Sequence, residues 1–125
     1  MRWITDIDPR SSILYKIEYA MISAKTFRQL ALAFSQAEEH PHFEKSSFRI
    51  KKKIFATLDE KKSVAVVKLS PIDQSAFCAF DAAVIFPIPG SWGKQGWTMI
   101  NLKKIKVSTL KDALSTAYAT VLKNR

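Results

Sequence analysis

The sequence is short of glycine, cysteine and histidine: its 125 residues include three, one and two of them, respectively. The one cysteine, Cys78, cannot form an internal disulfide, and its apolar setting in AFCAF predicts a buried thiol in a reducing cytoplasm. With two histidines and one cysteine, the chain has few residues for catalysis by a nucleophile beside an imidazole. It also has few residues for a metal site of three or four ligands. We therefore expect no enzymatic activity, no cofactor and no metal.

Long hydrophobic runs are also missing. No segment approaches the roughly 18 apolar residues of a membrane span, and Asp6, Asp8, Pro9 and Arg10 interrupt the region where a signal peptide would be apolar. Apolar residues make up 47% and charged residues 25% of the chain, which is the balance of an ordinary globular protein. We expect one soluble, monomeric domain without membrane contact.

Acidic residues are scarce in the second half. The chain has 20 Lys and Arg residues against 11 Asp and Glu residues, a formal net charge of +9. Residues 61–125 hold ten basic and three acidic side chains, so this half supplies +7 of that charge. Such an excess attracts polyanions, of which nucleic acid is the commonest in a cytoplasm. A basic composition that serves solubility alone is the competing interpretation.

Hydrophobic periodicity predicts helices at both ends of the chain. A possible Ser23 cap precedes apolar residues at helical spacing within 24–37, namely Phe27, Leu30, Ala31 and Phe34. Residues 108–123 carry a second helical stripe, made of Leu110, Ala113, Leu114, Ala117 and Val121. Between them, Ser70 as cap and Pro71 at the first helical position predict a shorter helix over PIDQSAFCAF.

The segments between the predicted helices have the patterns of β-strands. After the segment with His40 and His42, which is interpreted as a turn, Phe48 and Ile50 alternate with Arg49 and Lys51. The alternation resumes in Ile54, Ala56 and Leu58, so two antiparallel strands with a Lys-rich turn are expected. SVAVVKLS, VIF and WTMINL follow as further strands. The order predicts an α+β fold, an antiparallel sheet with helices packed on one face.

The three glycines all lie in PGSWGKQGW, residues 89–97. Glycine admits positive φ and lets another backbone approach closely, so this spacing predicts a tight loop that displays its other side chains. Trp92 is expected to be exposed there, whereas core packing is favoured for Trp97, which begins a strand.

Basic residues interleaved with aromatic ones favour nucleic-acid binding, because cations follow phosphates while rings stack on bases. Two stretches, KSSFRIKKKIF and SWGKQGW, have this pattern, and NLKKIK adds further lysines. A solvated strand face with a charged turn is the competing interpretation of the hairpin lysines. The candidate contacts are Lys45, Arg49, Lys51, Lys52, Lys53, Trp92, Lys94, Trp97, Lys103, Lys104 and Lys106.

EEHPHFEKSSFRIKKKIFATLDE, VVKLSP and FPIPGSWGKQGWTMINL resemble the MmcQ/YjbR family of small bacterial proteins, over roughly residues 21–123. The resemblance implies a CyaY-like α+β fold and a DNA-binding label, with no catalytic residues to transfer. Two departures stand out. Lys51 and Lys52 occupy a hairpin turn where many members have glycine, and residues 1–20 look like an extension before a single domain of residues 21–125.

Three functions stay open at this stage. The first is non-enzymatic DNA binding of low sequence specificity through the candidate contacts. The second is a protein-interaction module in which Trp92, Phe86 and the Pro87–Pro89 segment anchor another protein. The third is a small-molecule pocket with Lys68 and Trp97 at its wall.

Overall fold

The structure is a computed structural model that describes residues 21–123, so the extension predicted for residues 1–20 lies outside the described residues. Its elements follow the chain as α1 (Ala24–Leu32), β1 (Glu38–His42), β2 (Lys45–Ile50), β3 (Lys53–Asp59), β4 (Val64–Lys68), α2 (Pro71–Phe80), β5 (Ile85–Pro87), α3 (Ser91–Lys94), β6 (Trp97–Asn101) and α4 (Val107–Lys123). No helix in this described part is both long enough and apolar enough to span a membrane.

The six strands form one antiparallel sheet in the order β1-β2-β3-β4-β6-β5. Phe48, Ala56 and Val67 are paired across it in one row, and all three are fully buried. The neighbouring row, with Thr57 and Val66, is only half-buried. One face of the sheet therefore holds the core, and the predicted α+β fold is confirmed.

Helices α1 and α4 cover the core face. Phe27 of α1 packs against Phe48 with ring centroids 5.4 Å apart. In α4 the whole predicted stripe is buried, that is Leu110, Ala113, Leu114, Ala117 and Val121. The Ser23 cap of α1 is also confirmed, since its hydroxyl accepts a hydrogen bond from the Thr26 amide. Helical spacing and capping chemistry thus predicted the presence of both helices and the start of α1.

The first helix ends earlier than its periodicity predicts, at Leu32 rather than near residue 37. Phe34 leaves the helix and stacks on Tyr118 of α4, with centroids 4.8 Å apart, while its edge meets Phe55 at 6.0 Å. Gln36 then takes a positive φ of 63° as the chain turns toward β1. Aromatic packing against α4 replaces the last helical turn.

The hairpin of β2 and β3 contains a bulge that shifts the expected alternation. Phe48 pairs with Ala56 but Arg49 pairs with Ile54, so Phe55 is the extra residue. Phe55 is fully buried against Tyr118, and Ile54 is only half-buried. The prediction that Ile54 shares a face with Ala56 and Leu58 is therefore wrong, because one inserted residue exchanges the two faces beyond it.

The segment predicted as a turn around His40 and His42 is an edge strand, β1, paired with β2 along its length. Glu39 lies on the helix side, where Arg28 of α1 donates to it at 2.9 Å. His40 lies on the other side, opposite Ser47. Pro41 is tolerated here because an edge strand needs hydrogen-bond donors on one side only.

The short helix α2 begins as predicted, with the Ser70 hydroxyl accepting from the Asp73 amide and Pro71 at the first position. It packs beside β5, yet none of its residues is fully buried. Cys78 is half-buried rather than buried, and burial raises the pKa of its thiol above the ordinary value.

Strand directions define two ends of the sheet. The Lys51–Lys52 turn joins β2 to β3 at one end, and β4 finishes at that end with Lys68, opposite Trp97 at the start of β6. We call this the hairpin end. The opposite end carries the β1–β2 turn, the β3–β4 turn and the loop between β6 and α4.

Candidate functional site

The Lys51–Lys52 turn is the most projecting part of the hairpin end. Ile50 pairs with Lys53 across a two-residue connection, so only Lys51 and Lys52 make the turn. Both have positive φ, 51° and 71°, as a type I′ turn requires. Asn and Gly are the usual residues there, and a lysine in this conformation costs about 1 kcal/mol. The turn therefore displays two exposed ammonium groups at some cost in stability.

The glycine segment adds a second feature to the same end. Instead of an irregular loop it contains the one-turn helix α3, preceded by Gly90 at φ 84°. A Cβ on Gly93 would lie 1.9 Å from the Ile88 carbonyl oxygen, and one on Gly96 would lie 1.8 Å from that of Leu69. Two of the three glycines are thus required for close backbone contact, and Gly96 also has a φ of 106°.

Side chains from outside the segment fix its shape. The Gln74 amide nitrogen of α2 lies 3.0 Å from the Gly93 carbonyl oxygen, 3.0 Å from Thr98 Oγ1 and 3.3 Å from the Trp97 carbonyl oxygen. Thr98 is fully buried and donates to the Gly96 carbonyl at 2.9 Å. The segment is therefore held in one conformation, which lowers the entropy cost of binding through it.

Lys68 closes the other side of the segment. Its ammonium group donates to the Gln95 carbonyl oxygen and lies 5.5 Å from the centroid of the Trp97 ring. The pocket hypothesis assigned Lys68 and Trp97 to the wall of a cavity, but here these two side chains contact each other. A cation over an indole face is an attractive contact.

Trp92 has the exposure that the sequence predicts, whereas Trp97 does not have the predicted core position. Trp92 is 60% exposed on α3, which confirms that the segment presents this indole. Trp97 is half-buried beside Lys68 on the face of the sheet away from the helices, while its neighbour Thr98 enters the core. The expectation that Trp97 packs in the core is wrong, because β6 places Thr98 and Ile100 inside.

The turn and the glycine segment are neighbours at the hairpin end. The turn lies between β2 and β3, the segment joins β5 to β6, and β4 lies between them. Adjacent strands are about 4.8 Å apart, so two to three spacings separate the features by about 10–14 Å. This is close to the roughly 12 Å width of a DNA major groove.

Four of the candidate contacts lie at the opposite end. Lys45 begins β2 beside the β1–β2 turn, and Lys103, Lys104 and Lys106 follow β6. The structure therefore divides the predicted set. The residues it brings together at the hairpin end are Arg49, Lys51, Lys52, Lys53, Trp92, Lys94 and Trp97.

The charge balance differs between the ends. On the strands, the connecting loops and α3, the basic residues of the hairpin end are Arg49, Lys51, Lys52, Lys53, Lys68 and Lys94, and the acids beside them are Glu38 and Glu39 at the start of β1. The opposite end has the basic residues Lys45, Lys61, Lys62, Lys103, Lys104 and Lys106 with the acids Glu44, Asp59, Glu60 and Asp81. Equal numbers of cations therefore meet two acids at the hairpin end and four at the opposite end.

Ion pairs reinforce this difference. At the opposite end Lys61 pairs with Glu44 at 3.8 Å. Arg28 of α1 donates both to Glu39, near the start of β1, and to Glu60 of the β3–β4 turn, at 2.9 and 2.5 Å. These contacts raise the pKa of Arg28, chiefly through Glu60. Burial alone would raise the pKa of Glu39, but hydrogen bonds from Arg28 and Ser46 outweigh burial and lower it. None of the ion pairs between described residues involves Lys51, Lys52 or Lys94.

Sequence reasoning missed Gln74, which contacts Gly93 and Trp97 of the glycine segment and the adjacent Thr98 from 19 or more residues away. A glutamine within a predicted helix carries no signal for such a role. Within residues 21–123 no group of three His, Cys, Asp or Glu side chains is placed to hold a metal ion.

Comparison with known proteins agrees with this architecture. The crystal structure of the Deinococcus radiodurans protein DR2400, with a domain of the family DUF419, has a similar fold, with a TM-score of 0.72 and 19% sequence identity. The similarity covers 82% of this chain and 80% of that one. No curated protein matches the sequence. The model of the YjbR family matches residues 32–120, which is 89 of the 125 residues, and the chain therefore belongs to the YjbR family.

Proposed function

We propose that the protein is a non-enzymatic DNA-binding domain of low sequence specificity whose contact surface is the hairpin end of the sheet. The observation that carries the proposal is the exposed Lys51–Lys52 turn beside a well-supported, 60% exposed indole; none of the ion pairs between described residues involves Lys51, Lys52 or Lys94. Lys51, Lys52, Lys53 and Lys94 would contact phosphates, and Trp92 would stack on an unpaired base or wedge into a distorted step. Lys68 would act indirectly by holding the glycine segment.

A contact surface limited to the hairpin end predicts how strongly DNA binding depends on salt. About four phosphate contacts give a slope of log K against log salt near −4 on duplex DNA and near −3 on a single strand. Lys103, Lys104 and Lys106 add little to this slope because they lie at the opposite end. Fluorescence anisotropy with labelled duplex and single-stranded oligonucleotides over a salt series measures it, and a flat salt dependence would refute the proposal.

Two substitutions separate the roles of charge and ring. Trp92→Ala should weaken binding to a single strand by about tenfold with an unchanged salt slope, since stacking on a base contributes about 1–3 kcal/mol and no counterion is released. Lys94→Ala should reduce the magnitude of the slope by about one. If Trp92→Ala abolishes capture of a protein partner and leaves DNA binding intact, the interaction-module hypothesis replaces this one.

A further inference from the structure

Helix α2 exposes an apolar stripe to solvent. Ile72 is 81% exposed and Phe80 is 74% exposed, and the residues between them on the same face are small and also exposed, namely Ser75, Ala76 and Ala79. The spacing is that of one helix face, i, i+3, i+4, i+7 and i+8. Such a stripe normally faces a core, and here it faces outward.

The exposed stripe is distinct from the inner face of α2. The inner side of α2 is occupied by Gln74, which holds the glycine segment, and by Phe77 and Cys78, which pack against the core. The Ser70 cap and Pro71 fix the start of the helix. The outer apolar residues are therefore additional to those that the fold uses, and an exposed apolar patch marks a contact site.

The stripe itself offers no cation to a nucleic acid, and the lysines beside it are Lys104 and Lys106, which line a cavity with Phe80 and Asp81. Residues 69–93 contain no lysine or arginine, although 20 basic residues in 125 would give four in a stretch of 25 on average. Asp73 and Asp81 are the charged residues of the stretch. Two molecules with a net charge of +9 each repel one another least when such a region lies between them.

We infer that α2 is the contact surface for a second copy of the chain. Ala76 stands midway between Ile72 and Phe80, so an antiparallel pair of α2 helices with a twofold axis at Ala76 would bring Ile72 of each copy against Phe80 of the other. Small residues at the crossing let helix axes approach to about 8 Å. The face is thus complementary to itself, as an isologous interface must be.

The size of the surface sets the strength of the dimer. A helix of ten residues is about 15 Å long, and its stripe in two copies would bury on the order of 1,000 Å² in total. This is well below the roughly 1,600 Å² of a standard interface, so the dimer is weak, with a Kd of about 0.1 mM. The monomer expected from the sequence is then the form present in dilute solution.

This inference does not depend on the proposed function. The effect of salt distinguishes the two. Added salt screens the repulsion between basic copies and strengthens apolar contact, so dimerisation should increase with salt, whereas DNA binding through lysines decreases with it. Failure of one proposal therefore leaves the other intact.

Sedimentation equilibrium between about 10 µM and about 1 mM protein, at low and at about 0.5 M salt, tests the inference. We expect a reversible monomer–dimer equilibrium that the double variant Ile72→Gln with Phe80→Gln weakens at least tenfold. Phe43→Gln is the matched control, because Phe43 is 93% exposed at the β1–β2 turn, and it should leave the equilibrium unchanged. A monomer at every concentration, or a dimer that tolerates the double variant, overturns the inference.

Cross-linking tests the position of the twofold axis. In a Cys78→Ser background, Ala76→Cys places two thiols near the axis, where the Cβ separation of about 4 Å suits a disulfide. Mild oxidation should give a covalent dimer with Ala76→Cys and much less with Lys94→Cys, an exposed control on α3. Equal cross-linking at both positions would mean that the copies meet only by random collision, and the inference would then be wrong.

Discussion

The two ends of the sheet carry the same number of basic side chains on their strands and loops but present them differently. At the hairpin end, six cations accompany two acids, Glu38 and Glu39, and two of the cations, Lys51 and Lys52, lie on a turn with positive φ. At the opposite end, six cations lie among four acids, and Lys61 forms an ion pair with Glu44. The comparison teaches that the number of lysines in a segment says less about polyanion binding than the acids the fold places beside them.

The largest expected effect concerns the rigidity of the hairpin end. Gly96→Ala should destabilise the protein by about 3 kcal/mol or more, because the new methyl group collides with a backbone carbonyl at a φ that alanine avoids. Gly90→Ala is the matched control, since its φ of 84° is also positive but no atom lies within 4 Å of the new Cβ. Its cost should be about 1 kcal/mol. Urea denaturation measures both, and equal costs would show that the close contact at Leu69 does not constrain the segment.

The next effect compares the ends directly. Lys51→Gly with Lys52→Gly removes two amines and relieves the strain of the turn, so DNA affinity should fall about tenfold or more at low salt while stability is kept. The matched variant, Lys103→Ala with Lys104→Ala, removes the same charge from the opposite end and should change affinity less than about threefold. Anisotropy titrations at one ionic strength measure the difference. Equal losses of DNA affinity in the two double variants would contradict a binding surface at the hairpin end and would indicate that the whole molecule contributes.

Gln74→Ala should have a smaller effect on stability, about 1–2 kcal/mol, because it leaves the Gly93 carbonyl and Thr98 without their side-chain donor. Amide hydrogen exchange should accelerate in residues 91–96 and stay unchanged in the β3–β4 turn at the opposite end. Gln29→Ala, on an exposed position of α1, should alter neither. Unchanged protection of residues 91–96 would mean that the glycines alone fix the segment.

The smallest effect is a pH dependence of stability that comes from Glu39, the β1 acid that Arg28 holds. The folded pKa of Glu39 lies below the ordinary value of 4.5, so the unfolded chain takes up its proton first and stability falls as pH drops below about 4.5. Glu39→Gln should therefore cost less than about 1 kcal/mol at neutral pH and progressively less in acid. Urea denaturation at about pH 6 and about pH 3.5 tests this. A cost that grows on acidification would contradict the assigned role of Arg28.

The elements that the sequence predicted well are those whose packing is local in the chain. The α4 stripe and the Ser23 and Ser70 caps depend on neighbours within a few residues, and all are present. The Lys-rich hairpin was predictable for the same reason. The bulge at Phe55 was not, because the extra residue packs against Tyr118 of α4, far along the chain.

The candidate site was only partly predictable. Composition identified the lysines and Trp92, but their division between two ends follows from strand order and direction, which no single segment encodes. In WTMIN, both alternating faces contain apolar residues, Trp97 and Met99 on one and Ile100 on the other, so the pattern did not reveal which face enters the core. Thr98 enters because its hydroxyl is satisfied by Gly96 and Gln74.

The support of the glycine segment by α2 has a dynamic consequence. A helix without a fully buried residue opens at a lower free energy than α4, with its five buried positions. Each such opening would withdraw the Gln74 amide from the Gly93 and Trp97 carbonyl oxygens of the segment that carries Trp92. Any molecule bound to Ile72 and Phe80 would suppress these openings. Binding to the outer face of α2 would therefore reduce the mobility of the Trp92 indole without changing the mean structure.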